Sequence, residues 1–95
     1  MRLDRWLVYC RFARTRSKAS AWIEEGHIRL NGSHVRRASE CVHRADVLTL
    51  PLGGAVRIIE VVGLPERRGA PAIAQTHYRE LDRGGDIAIA PEKNR

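Results

Sequence analysis

Long apolar runs are missing from this chain. None approaches the roughly 18 residues that a membrane-spanning helix requires, and the opening "MRLDRWLVYCRFAR" is too charged for the apolar core of a secretory signal. The expectation is a cytoplasmic protein with no membrane attachment. Cysteine is scarce too: Cys10 and Cys41 are too few and too far apart for a disulfide framework, and both read as small apolar residues. Metal-ligand spacing is absent, since Cys41-Val42-His43 leaves one intervening residue and no second close pair follows. There is no Gly-x-Ser-x-Gly elbow, no Gly-rich phosphate loop and no His-Glu-x-x-His. The grouping of His77, Glu80, Asp82 and Asp86 reads as solvated surface rather than acid/base machinery. With 95 residues the chain has room for one small core and no separate catalytic module. No enzyme, cofactor or metal site is expected.

Acidic residues are the other shortage, 11 Asp and Glu against 17 Lys and Arg, for a net charge of +6. The excess is uneven: residues 1–46 hold ten basic and five acidic side chains (+5), and residues 47–95 hold seven and six (+1). A polyanionic partner is implied, met by the first half of the chain.

What is present there is patterned. Leu3, Trp6, Leu7 and Cys10 recur at helical spacing and form a core stripe, with Arg5, Tyr9 and Phe12 assigned to the opposite side of the same helix, where the two aromatics alternatively pack under a later segment. A second helix over about residues 16–25 follows, with Thr15 as its N-cap, Gly26 at its left-handed end, and Ala19 and Ile23 toward the first helix. Arg14, Arg16 and Lys18 surround the corner between the two helices. After Gly26 the period becomes two, and Asn31-Gly32 supplies a type I′ hairpin turn between strands near residues 27–31 and 33–36. Two further strands, 46–50 and 55–62, join through Gly53-Gly54, and "PAIAQTHYREL" suggests a last helix with Ala74, Tyr78 and Leu81 on one stripe. The tail beyond it is expected to be mobile. The fold class is α+β, two N-terminal helices on a small, mainly antiparallel sheet.

If the hairpin packs beside the helix pair, Arg5, Arg14, Arg16, Lys18, Arg29, Arg36 and Arg37 form one patch suited to phosphate oxygens, with Tyr9 or Phe12 as a stacking face for a base. The competing reading makes each arginine a solubilising charge or an ion-pair partner of Asp4, Glu24 or Glu25. Arg11 and Asp4 are assigned mainly to structure, Arg11 through a carboxylate or backbone carbonyls. A protein-interaction module whose basic face meets an acidic protein is the alternative of a different class.

The ordered set "RLDRWLVYCRFARTRSKASAWIEEGHIRLNG" (residues 2–32), then "DVLTL", "PERRGAP" and the Tyr78 region, resembles the S4 RNA-binding domain superfamily, in particular its small ribosome-associated heat-shock members, over most of residues 1–82. That resemblance implies an L-shaped basic RNA-binding surface made of the two helices and the hairpin, with Arg11, Thr15, Arg16, Lys18, Asn31 and Gly32 in the motif. It implies an S4-like domain over 1–64, a helical extension over 65–83 and a flexible tail over 84–95. The implied partner is structured ribosomal RNA of the large subunit, in the heat-shock members on a free subunit still carrying peptidyl-tRNA after stalled translation; a monomer is expected. Similar domains serve as appendages of pseudouridine synthases and aminoacyl-tRNA synthetases, but no catalytic domain is left here. Two departures stand out: Lys18 occupies a position that is apolar in many members, and the long basic C-terminal tail is not found, which bears on ribosome docking.

Overall fold

A computed structural model describes residues 1–82. The first helix, α1, spans Leu3–Tyr9 and buries Leu3, Trp6 and Leu7 completely, with Val8 and Cys10 almost so. No side chain caps its start. Its first amides are instead taken by a distant segment, Leu3 N–H donating to the Glu40 carbonyl (2.7 Å) and Asp4 N–H to that of Ala38 (3.3 Å). The orphan donors of a helix N-terminus thus become long-range fasteners. At the other end Arg11 takes φ +67°. Its amide donates to Val8 and that of Phe12 to Leu7 (3.0 and 2.8 Å), a Schellman ending with arginine where glycine is usual. The left-handed conformation costs roughly 1 kcal/mol, and the 2.7 Å bond from Arg11 Nε to the Gly69 carbonyl helps to offset it.

This ending takes Phe12 off the helix and, of its two readings, favours packing under a later segment, at Tyr78. The helix stops at Tyr9, and the turn sends Phe12 inward, stacked on Trp6 at 5.9 Å between centroids and 4.7 Å from Tyr78. Phe12 is therefore part of an internal aromatic cluster, with the Arg57 guanidinium 5.5 Å from its ring centre.

The second helix, α2 (Arg16–Glu24), starts as expected, with Thr15 Oγ1 accepting from Lys18 N–H, and ends with Gly26 at φ +85°. It lies on α1 through Ala19 and Ile23, both fully buried. Among the described residues five antiparallel strands form one sheet: β1 (Arg29–Leu30), β2 (Ser33–His34), β3 (Val47–Leu52), β4 (Ala55–Val61) and β5 (Tyr78–Asp82), in the order β2-β1-β3-β4-β5. The first hairpin closes in register Leu30 to Ser33 around Asn31 (φ +52°) and Gly32 (φ +88°). Its strands are shorter than expected: Ile28 and Val35, the deeply buried residues here, lie just outside the two-residue arms, and β2 is the edge of the sheet.

The expected last helix is the main departure. Only Pro71–Ala74 (α3) is α-helical, followed by a 3₁₀ turn over Gln75–His77 and then β5. The helical stripe of Ala74, Tyr78 and Leu81 loses to tertiary pairing. The open edge of β4 recruits residues 78–82, Arg57 binds Glu80 through two hydrogen bonds (2.9 and 2.6 Å), Arg79 pairs with Glu60, and Tyr78 joins Phe12 and Trp6. The tail over 84–95 lies outside the described residues.

The segment before α3 is fixed by a close approach. Val62 and Gly63 N–H both donate to the His77 carbonyl, and Trp6 Nε1 donates to that of Gly63 (3.0 Å). A Cβ on Gly63 would stand 2.7 Å from His77 Nδ1. Gly63→Ala is therefore expected to cost about 1–2 kcal/mol, a drop of roughly 5–15 °C in Tm, read by thermal denaturation; an unchanged Tm would mean that His77 gives way freely.

Candidate nucleic-acid interface

The site begins with one buried charge. Asp4 has no exposed surface and is the one charged side chain among the fully buried described residues. Its carboxylate accepts from Arg2 Nε (3.1 Å) and Nη2 (3.0 Å), from Arg16 Nη2 (3.4 Å), from the Arg5 amide (2.8 Å) and from Ser20 Oγ (3.5 Å). Burial pushes its pKa up, but the Arg2 hydrogen bond, the Arg5 amide and the charges of Arg2 and Arg16 outweigh that and hold it below the ordinary 3.8. Arg2 and Arg16 remain 42% and 49% exposed, so each anchors one edge on Asp4 while leaving donors for a ligand.

The chain brings more cations to this place. The bonds from Leu3 N–H to Glu40 and from Asp4 N–H to Ala38 lay residues 38–40 beside the start of α1, directly after exposed Arg36 and Arg37. Arg36 reaches the C-terminal end of α2, its Nη1 3.6 Å from where a Gly26 Cβ would be, and His34 Nδ1 lies 2.7 Å from the Gly26 carbonyl. Arg5 is exposed on α1. Arg2, absent from the candidates read in the sequence, belongs with them; the signal was its place two residues before a carboxylate on the core side of an amphipathic helix.

The other candidates are distributed differently. At about 100° per residue, Arg16 and Ser20 flank the buried Ala19–Ile23 stripe on the Asp4 side, and Lys18 and Trp22 flank it on the other. Arg14 and Lys18 line a separate groove with Trp22. The single patch expected from the sequence is thus two cationic faces, one on each flank of α2. Thr15 is exposed, but its hydroxyl is engaged as the helix cap. Arg29 is exposed and pairs across the ladder with His34 and Thr49. Asn31 uses both ends of its carboxamide internally, accepting from Val47 N–H (2.8 Å) and donating to Asp46 (3.1 Å), which fastens the hairpin to β3. Arg11 points to the Gly69 carbonyl, so of the two alternatives for it the structure takes the backbone one. Tyr9 is half-buried beside Arg5 and Pro65. Cys10 is buried, which pushes its thiol up to about 12 and makes it unreactive.

A helix pair, a positive-φ hairpin and a cation-ringed carboxylate near the chain start define a known class of module. Residues 1–48 match the family model of the S4 domain, a stretch holding all the site residues read from the sequence. The heat shock protein 15 homolog of Haemophilus influenzae is 39% identical over 83 residues, 86% of this chain and 62% of that protein. Heat shock protein 15 of Escherichia coli K12 is 35% identical over 99% of this chain and 73% of its own length. Small ribosomal subunit protein uS4 of Anaeromyxobacter sp. is 33% identical over 90% of this chain but 39% of its own length. A trimeric structure of heat shock protein 15 from Vibrio cholerae superposes with a TM-score of 0.83 at 32% identity, covering 88% of this chain and 84% of that one. The chain belongs to the S4 domain family and, within it, to the heat shock protein 15 group. It spans a little under two thirds of the first two heat shock protein 15 relatives, 62% and 61%.

The pH dependence of the Asp4 group follows from its lowered pKa. A carboxylate whose folded pKa is depressed contributes stability fully above its unfolded value and loses it as pH falls through the folded value. Asp4→Asn is expected to cost about 2 kcal/mol at neutral pH, below the full penalty of a broken buried pair because both arginines are half-exposed. Denaturant melts from pH 7 down should show that difference intact to about pH 4 and shrinking below 3.8; a pH-independent difference would contradict an ionised Asp4.

Proposed function

We propose that the chain binds structured RNA through the cationic surface around Asp4, that the RNA is ribosomal RNA of the large subunit, and that the protein serves the rescue or recycling of stalled ribosomal subunits, including those holding peptidyl-tRNA. The observation that carries this is the buried carboxylate that orders two half-exposed arginines, with exposed Arg5 on the same helix and exposed Arg36 and Arg37 just before the Ala38 carbonyl that accepts from the Asp4 amide. Pre-ordered guanidinium groups lose less entropy on meeting phosphates than free side chains do. Phosphate contacts of this kind position a protein on a shaped backbone, as structured RNA requires.

The family supports the reading, since S4 relatives include heat shock protein 15 and a ribosomal protein. The binding unit is one copy in the cytoplasm, because a single chain carries the whole Asp4 surface; the Vibrio cholerae relative is described as trimeric. On this reading the chain is a binding protein and not an enzyme.

The test is binding of the purified chain to an RNA hairpin, an equal-length single strand and a DNA duplex over a salt series. The hairpin should bind most tightly, and Arg36→Ala/Arg37→Ala should reduce the logarithmic salt slope by about two, weakening all sequences alike. Equal binding of all three nucleic acids with an unchanged slope would contradict it. Co-sedimentation with separated ribosomal subunits then tests the target, with the large subunit expected in the pellet fraction that carries the protein.

A further inference from the structure

The second cationic face borders a groove of about 510 Å³ between α2 and the β3–β4 turn, lined by Arg14, Lys18, Trp22, Glu25, Pro51 and Leu52 among others. The volume falls within the range of small-ligand clefts, too small for a nucleic-acid helix. Trp22 packs against the core on one side and is half-buried, so part of its indole is open to the groove. Arg14 and Lys18 are exposed, whereas Glu25 supplies the opposing charge. The balance is one carboxylate against two cations around an aromatic surface.

We propose that this groove receives one unpaired nucleotide of the bound RNA, its base stacked on Trp22 and its flanking phosphates on Arg14 and Lys18. The proposal deepens the RNA-binding reading and rests on it. An open aromatic surface with cations at its edge is the arrangement that captures single-stranded nucleotides, base on ring and phosphate on cation. A peptide added as a strand fits worse. β1 covers β3 only at Leu48 and Thr49, so the sheet is open toward residues 50–52, but Pro51 has no amide to donate there. Arg16 and Lys18 stand on opposite flanks of one helix, so an RNA whose paired stem lies on the Asp4 face can send a bulged or terminal nucleotide across α2 into the groove. Lys18 and Trp22, one helical turn apart, then act together.

The experiment compares a blunt RNA hairpin with the same hairpin bearing four unpaired nucleotides at either end, and with extensions made abasic. The extension should tighten binding about tenfold in the native protein, the abasic extension should not, and Trp22→Leu should reduce the gain to twofold or less with the blunt hairpin unaffected. Trp22→Phe should retain most of the gain, which separates stacking from any loss of fold, and melts by circular dichroism check both variants. Emission gives an independent readout: Trp6 is fully buried, so quenching by the extended hairpin reports Trp22. If the blunt hairpin binds but the extension adds nothing, or adds as much in Trp22→Leu, the groove assignment is overturned and the RNA reading stands. If an acidic peptide quenches Trp22 and the extension does not, the groove is a protein site. If no RNA binds, both fall.

Discussion

The carboxylate of Asp4 is the constraint around which the N-terminal half is arranged. A charge with no exposed surface costs several kcal/mol unless its lone pairs are filled, and here they are filled by two guanidinium groups, a backbone amide and a hydroxyl. The partners come from before α1, from α1 itself and from α2, so satisfying the charge also sets the angle between the helices. The Asp4 amide extends the same group to residue 38, past the hairpin. One residue thereby ties three parts of the chain, and the arginines that neutralise it keep their outer edges in solvent.

That arrangement accounts for how a small core supports a functional surface. Apolar burial by Leu3, Trp6, Leu7, Ile23, Ile28, Leu48 and Ile59 holds the helices to the sheet, but burial has no direction. Direction comes from polar contacts: Thr15 starts α2, Asn31 fastens the hairpin to β3, and Arg11 ties the end of α1 to Gly69. Three of the residues that motif similarity assigns to RNA binding thus perform visible structural work. Substituting them perturbs the surface indirectly, so loss of binding in such variants reports geometry as well as contact.

Local signals were the legible ones. The stripe of α1, the Thr15 cap, Gly26 and the Asn31-Gly32 turn could be read because each is decided within a few residues. The ends of α1 and the fate of residues 71–82 could not. Arg11 adopts a conformation that chain-local preference disfavours, and β5 exists because β4 offers an edge, Glu60 and Arg57 offer partners, and the Trp6–Phe12–Tyr78 cluster needs its third ring. The cations of the site were visible as a composition bias in residues 1–46, whereas their division between two flanks of α2 needed the position of Asp4. Trp22 flanks the Ala19–Ile23 face, and only the β3–β4 turn across from it reveals the groove.

The most direct measurement is a map of backbone amide chemical shifts during titration with a structured RNA hairpin. Shifts concentrated at the start of α1, along α2 and at residues 36–38, with β4 and β5 unmoved, are the predicted result. Shifts centred on β4, β5 and residues 65–77, with the Asp4 neighbourhood silent, would contradict it.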